Sequence, residues 1–379
     1  MRPIGKDDRM HKHLEQLLEQ YGREWRGTPE RREGGWNNST WLIKKESGST
    51  AAVLRLYETH RDPARIKFEH AVLAALHQAG LSVQTPVPVA ALTGETFLRL
   101  DDGSERYACL FQYIEGLPAK DGDIRCAYSF GQAAGELAVS LAAAEEAIGL
   151  APVYSPYYDL LKAYPDCTPE SVHAFCMHPP EPFWALKEPL AVLEKAWVDV
   201  CSRLGGLEQL PQQLVHGDLN YSNLLVKEQE PRHIAALLDF EFCTRDAAVM
   251  EPAVVLAGLL EDGRDDGEDG EVGKKEGGDG QASGDVGQTG QEAMEEFCRG
   301  YGERVRYSPE EIQAIPVLIA LRSVDVFLHF LSRYWNGTDG PDVLQQQIRL
   351  LSASLNRLEA SRRRIEEAAG RFLLQTALS

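Results

Sequence analysis

Residues 216 to 239 constrain this chain more than any other stretch. They read His216-Gly217-Asp218-Leu219-Asn220-Tyr221-Ser222-Asn223, then Leu224-Leu225-Val226, a polar turn, Ile234-Ala235-Ala236-Leu237-Leu238 and Asp239. Two short apolar runs bounded by polar residues predict paired strands, with Asn223 just ahead of the first and Asp239 just after the second. A hairpin brings its two ends back to one edge of a sheet. Asp218, Asn223 and Asp239 are therefore expected to converge on a single site.

Three oxygen-bearing groups of this kind suit phosphoryl transfer. The transferred group carries its charge on oxygens, so a protein needs oxygen ligands for a hard cation and one carboxylate to orient the attacking hydroxyl. The Asp-x-x-x-x-Asn spacing of Asp218 and Asn223 is that of the kinase catalytic loop, and Asp239-Phe240 opens like the metal-binding Asp-Phe-Gly triplet. On these residues the chain resembles the phosphotransferase family of aminoglycoside kinases, choline kinases, fructosamine kinases and type II homoserine kinases. Members of that family carry His-Gly-Asp where protein kinases carry His-Arg-Asp. The residues alone leave a plainer alternative, in which His216 and Asp218 are turn residues bonding their own backbone ahead of a strand.

The resemblance implies a two-lobed, protein-kinase-like α/β (α+β) fold: a five-stranded antiparallel sheet with a helix, then a larger, mainly helical lobe. It implies a nucleotide-binding lobe over 30–115 and a catalytic and substrate-binding lobe over 116–379, behind a helical segment over 1–29 that the residue spacing predicts. ATP and Mg2+ are the implied cofactors, and a small molecule bearing a hydroxyl is the implied acceptor. Asp218 would be the catalytic carboxylate, with Asn223 and Asp239 as metal ligands.

Further positions follow in chain order. Leu14, Leu17 and Leu18 stand at helical spacing in a charged leader. The stretch Glu33-Gly34-Gly35-Trp36-Asn37-Asn38-Ser39-Thr40 runs from a glycine and asparagine turn into a strand, and Ala51 to Tyr57 reads as the next. In the family this hairpin covers the nucleotide phosphates, which puts Gly34, Gly35 and Asn38 there. Arg55 stands where the kinase template has its strand lysine, and Glu69 where it has the partner glutamate on the following helix. Arginine keeps the charge but offers a fork in place of a point donor. Tyr107 to Phe111 reads as a strand leading to the interlobe hinge, where adenine would bond the backbone at Gln112 and Ile114.

Against protein kinase activity stand the missing Gly-x-Gly-x-x-Gly loop, His-Gly-Asp itself, and the lack of Ala-Pro-Glu after Asp239. Leu-Asp-Phe-Glu-Phe and Val-Leu-Arg-Leu-Tyr look closest to homoserine-kinase-type members. Acceptors of the homoserine, amino-alcohol, aminoglycoside and sugar types all stay open, because the helical lobe sets the substrate. So does a non-catalytic, kinase-like scaffold or coat protein. Glu241, where protein kinases have glycine, is expected as a metal or substrate contact or as a plain strand residue.

Composition enters at three points. The formal charge of -19 argues against a nucleic-acid partner, although residues 261–292 alone hold eleven acidic against three basic side chains. That segment also holds ten glycines, which predicts a disordered insertion between helices. Seven cysteines without a Cys-x-x-Cys pair fit free thiols in a reducing compartment. No apolar leader is present, and the apolar run from Ile315 to Leu331 is interrupted by Arg322 and Asp325, so the expectation is a cytoplasmic chain without a membrane partner. His173, Cys176 and His178 lack a fourth zinc ligand. Trp184, Trp197 and Trp335 are expected in a helix core, with an aromatic cage as the alternative.

Overall fold

The computed structural model describes residues 6–32, 38–58, 61–120, 123–261 and 286–375. In chain order they form α1 (Lys6–Glu19), β1 (Thr28–Arg32), β2 (Asn38–Lys44), β3 (Thr50–Tyr57), α2 (Pro63–Ala79), β4 (Leu98–Arg99) and β5 (Tyr107–Gln112). The strands make one antiparallel sheet in the order β1-β2-β3-β5-β4. Alternation along β3 decides what each face does, because successive side chains point to opposite sides of a strand. Ala52, Leu54 and Leu56 share a core with Leu14, Leu17 and Leu18 of α1. Arg55 and Tyr57 turn the other way, toward α2. That helix starts on Asp62, whose side chain accepts from the Ala64 amide ahead of Pro63, and ends on Gly80 at φ 69.

The helical region begins after β6 (Leu117–Pro118) with α3 (Ile124–Ile148), α4 (Leu160–Ala163), α5 (Pro169–Met177) and α6 (Lys187–Leu207). Then come β7 (Gln212–Val215), β8 (Leu224–Val226), β9 (Ile234–Leu237) and β10 (Thr244–Ala247), followed by α7 (Met250–Glu261), α8 (Val286–Tyr301), α9 (Pro309–Trp335) and α10 (Pro341–Phe372). The predicted hairpin is β8–β9, antiparallel with Leu224 opposite Leu237, and β6 joins its outer edge. β7 and β10 pair with Thr244 opposite Val215. The two ends of the 216–243 segment are thereby tied together outside the hairpin. Small residues in α3 permit a close helix crossing: a Cβ on Gly131 would lie 2.1 Å from the Phe297 carbonyl oxygen of α8. Reciprocally, one on Gly300 would lie 2.1 Å from the Tyr128 oxygen.

Several expectations shift. β1 was not expected, and it runs across the position, 29/30, where the sequence parts the leader from the sheet. α1 packs on that same sheet, so leader and sheet share one core. β7 and β10 were also unexpected. Helix α8 begins at Val286, so residues 286–292 are helical and not part of a disordered insertion; the rest of that segment, 262–285, lies outside the described residues, as do Gly34 and Gly35. α9 is long and apolar enough to cross a membrane by length and composition, but 61% of its most apolar window is buried inside the chain's own core. Trp197 is core at 1% exposed whereas Trp184 is 62% exposed, and Trp335 sits edge-on to Phe175, which fits core and surface roles better than a shared cage. All seven cysteines are free.

Candidate active site

The segment after β7 is held by its own histidine. His216 is fully buried, and its Nε2 lies 3.0 Å from the Leu238 carbonyl oxygen. A carbonyl only accepts, so Nε2 carries the proton and Nδ1 is left as an acceptor, which takes the Asp218 amide at 3.3 Å. Burial holds this imidazole neutral by pushing its pKa below the usual value. One ring thus bridges the residue before Asp239 to Asp218 itself. Behind it, the His216 amide donates to Glu251 Oε2 at 2.6 Å. Gly217 has φ +83, and a Cβ there would sit 2.6 Å from the Phe242 carbonyl oxygen. The middle residue of the triplet has no room for a side chain, and glycine alone takes that backbone without strain.

The hairpin brings the three expected groups to one end. Asn223 Nδ2 donates to the Asp218 carbonyl oxygen at 2.8 Å and approaches its Oδ2 at 3.4 Å. The Leu238 amide donates to the Asn223 carbonyl oxygen at 2.9 Å, which fixes Asp239 beside them. Burial raises the Asp218 pKa, Arg322 opposes that rise and the nearby charge of Asp239 adds to it. Asp239 takes a left-handed backbone, φ 64 and ψ 66. Its Oδ1 is buried without a hydrogen-bond partner. Among the described residues no group of three or more His, Cys, Asp and Glu side chains is arranged to hold a metal ion. Two carboxylates and an amide are nonetheless hard oxygen donors, and Asp239 Oδ1, which accepts no hydrogen bond and has the Arg55 guanidinium at ion-pair distance, fits a cation such as Mg2+.

From the sheet side, Arg55 reaches this end of the hairpin. Its Nη1 donates to Glu69 Oε1 at 2.9 Å and its Nη2 lies 3.4 Å from Asp239 Oδ1. Tyr57 donates its hydroxyl to the other Glu69 oxygen at 2.9 Å, and the guanidinium lies over Phe111, 5.2 Å from the ring centre. Burial disfavours charge on Arg55, but Asp239, Glu69, Tyr57 and Glu241 more than offset it, so its pKa lies above the usual value. Glu69 is raised by burial and pulled back by Arg55. Asn38 of β2 donates Nδ2 to Glu241 Oε2 at 2.7 Å, linking the hairpin expected over the phosphates to the segment after Asp239. Glu241 is buried and pushed up to about 7 by desolvation and by Asp239. The Gln112 amide donates to the Val87 carbonyl oxygen at 3.0 Å. It is therefore unavailable to a base, while Ile114 is half-buried just past the strand end.

A family model described as the phosphotransferase enzyme family matches residues 28–286, more than half of the chain. The chain belongs to that family. Its members are small-molecule kinases, and the fold agrees. A spectinomycin phosphotransferase solved with ADP and spectinomycin superposes with TM-score 0.60 at 14% identity, over 93% of this chain and 98% of that one. An amicoumacin kinase solved with AMP-PNP, Ca2+ and Ami gives 0.58 at 16%, over 96% of each chain. A microcompartment-associated aminopropanol kinase gives 0.59 at 16%, over 94% and 98%. No curated protein sequence matches the chain significantly.

Within this phosphotransferase, the side of Asp218 away from Arg55 is built from residues that sequence reasoning passed over. Arg322 of α9 donates Nη2 to Asp218 Oδ1 at 2.7 Å, and its Nη1 lies 3.7 Å from Asp325 Oδ2. The Tyr157 ring backs the guanidinium at 5.7 Å, and the Tyr157 hydroxyl donates to the Gly217 carbonyl oxygen at 2.6 Å. Tyr157 is anchored in turn, its amide donating to Asp246 Oδ2 at 2.6 Å. Burial raises Asp246 to about 7 and Asp325 to about 6. The available signal was the pair of charges that break the apolar run of α9.

Proposed function

We propose that this phosphotransferase moves the γ-phosphate of ATP to a hydroxyl of a small molecule, with Mg2+ as the metal. The observation that carries the reading is the meeting at one hairpin end of Asp218 and Asn223, in contact, with Asp239, which faces the Arg55–Glu69 pair of the sheet region. Asp218 orients the acceptor hydroxyl and takes its proton as the bond to phosphorus forms. Asn223 and Asp239 are the ligands offered to the ion, which when bound supplies charge neutralisation on the phosphate oxygens. Arg55, held by Glu69 and Tyr57, steadies the phosphates from the sheet side. The nucleotide-bound relatives support this reading through the shared fold. The proposed lobes keep the bounds read from the sequence, 30–115 around the nucleotide and 116–379 around Asp218 and the acceptor, with the segment 1–29 ahead of them.

The test is ATP and GTP consumption, with and without Mg2+, against amino alcohols, aminoglycosides, sugars, homoserine and other small hydroxy acids. Turnover with one class, abolished in Asp218→Asn while the nucleotide still raises the melting temperature, is the expected result. Unchanged turnover in Asp218→Asn refutes the assignment.

A further inference from the structure

A phosphotransfer site at Asp218 leaves open how its carboxylate is aimed. The backbone of this residue is fixed at both ends: its amide donates to His216 Nδ1 at 3.3 Å, and its carbonyl oxygen accepts from Asn223 Nδ2 at 2.8 Å. The freedom that remains is rotation of the side chain, which is 20% exposed. Asp218 Oδ2 already lies 3.4 Å from Asn223 Nδ2. A hard divalent cation gathers about six oxygens, so an ion held by Asn223 and Asp239 would draw in an unrestrained carboxylate beside them. Once ligating, Asp218 would have its lone pairs on the metal and would be a poor acceptor for the hydroxyl proton.

Arg322 opposes that rotation. Acidic groups lead at this end, with Asp218, Asp325, Asp239 and Glu69 sharing Arg322 and Arg55. The Arg322 guanidinium is committed to the protein: Nη2 donates to Asp218 Oδ1 at 2.7 Å, Nη1 lies 3.7 Å from Asp325 Oδ2, and the Tyr157 ring centre is 5.7 Å away. It rises from α9 between buried Leu321 and Ser323. An arginine held in this way acts on the base and not on the acceptor. We propose that Arg322 is a positioning residue: it pins Oδ1 of Asp218, so that Oδ2 is turned to the acceptor hydroxyl and the carboxylate is kept off the ion. This rests on the phosphotransferase reading above.

The experiment follows ion binding and transfer together. Mn2+ alone is titrated into the wild type, Arg322→Gln and Arg322→Lys, the free ion being read by electron paramagnetic resonance. Arg322→Gln is expected to bind Mn2+ roughly 10-fold more tightly, because a further carboxylate joins the ligand set. Arg322→Lys should lie between. In an Asp218→Asn background the same Arg322→Gln change should leave Mn2+ affinity within about 2-fold, since no carboxylate remains to swing. Phosphoryl transfer from Mg2+-ATP is measured with ethanolamine, kanamycin, glucose and homoserine, and with water where none of these is used. There Arg322→Gln should lose roughly 10- to 100-fold in kcat, the scale of a charge-assisted hydrogen bond, with the KM for ATP unchanged. Arg322→Gln strands Asp325, so Arg322→Gln/Asp325→Asn, which removes both charges, is the folding control. It should keep the wild-type melting temperature and show the same rate loss and the same tightening.

Three results overturn the proposal. The first is a kcat in Arg322→Gln within about 3-fold of the wild type, or no gain in Mn2+ affinity. The second is an equal gain in the Asp218→Asn background, which assigns the effect to lost charge alone. The third is recovery of the rate in the double variant, which assigns the loss to the stranded Asp325. Failure of the phosphotransferase reading looks different: Mg2+ with ATP would then neither shift the wild-type melting temperature nor be hydrolysed with any acceptor.

Discussion

Removing the Glu69 carboxylate tests how the sheet region presents its arginine. In Glu69→Ala, the Tyr57 hydroxyl, on a residue 2% exposed, loses its acceptor, at a cost of about 1–2 kcal/mol. Arg55 loses a 2.9 Å partner in a site where Glu69 is 3% exposed. Breaking a buried ion pair costs ~3–5 kcal/mol when nothing replaces the partner. Here Asp239 remains 3.4 Å from the other nitrogen, so about half of that is expected. The sum is about 3–4 kcal/mol, which equilibrium unfolding in urea would read as a lower midpoint at unchanged slope. A cycle with Arg55→Met should show a coupling of roughly 2 kcal/mol between the two positions. A loss below ~1 kcal/mol, or two additive single losses, would refute the argument that this pair positions Arg55.

Gly217→Ala should cost about 2–4 kcal/mol and remove turnover, from the left-handed backbone and the overlap with the Phe242 oxygen; unfolding and ATP consumption check both. Glu251 is raised by burial from an ordinary 4.5 to about 7, so the folded state holds its proton more tightly than the unfolded chain. Its stabilising contribution is complete below the unfolded value and is lost as pH rises through the folded one. Glu251→Gln keeps an acceptor for the His216 amide, and should remove roughly 3 kcal/mol of stability loss between acid and neutral pH. A variant whose pH dependence matches the wild type would refute this. Tyr157→Phe should lower kcat about 10-fold with little change in nucleotide affinity, because the Gly217 carbonyl loses its donor; an unchanged kcat contradicts that link.

The parts legible in the sequence were those where local pattern and packing agree. Leu224 to Val226 and Ile234 to Leu237 are apolar because both strands are mostly buried, and the polar residues at their ends are there because those ends meet the site. Alternation along β3 likewise marked Arg55 as the odd residue on an otherwise apolar strand. β1 was not legible: Thr-Pro-Glu-Arg-Arg turns only Pro29 inward, as an edge strand with four exposed residues allows. β10 failed for another reason. Its Asp246 is buried and held by the Tyr157 and Ala247 amides, so a residue that reads as surface is structural. Arg322 reaches Asp218 across a separation of 104 residues, and no local period can announce a contact of that kind.

The left-handed turn at Asp239 decides how an inactive form of this protein should be built. At φ 64 most side chains are strained, so replacing Asp239 with alanine would alter the turn and the charge together, and its phenotype could not be assigned to either. Asparagine tolerates that region and has nearly the same shape. Asp239→Asn therefore isolates the electrostatic contribution, and gives a scaffold on which acceptor and nucleotide can be trapped side by side without turnover.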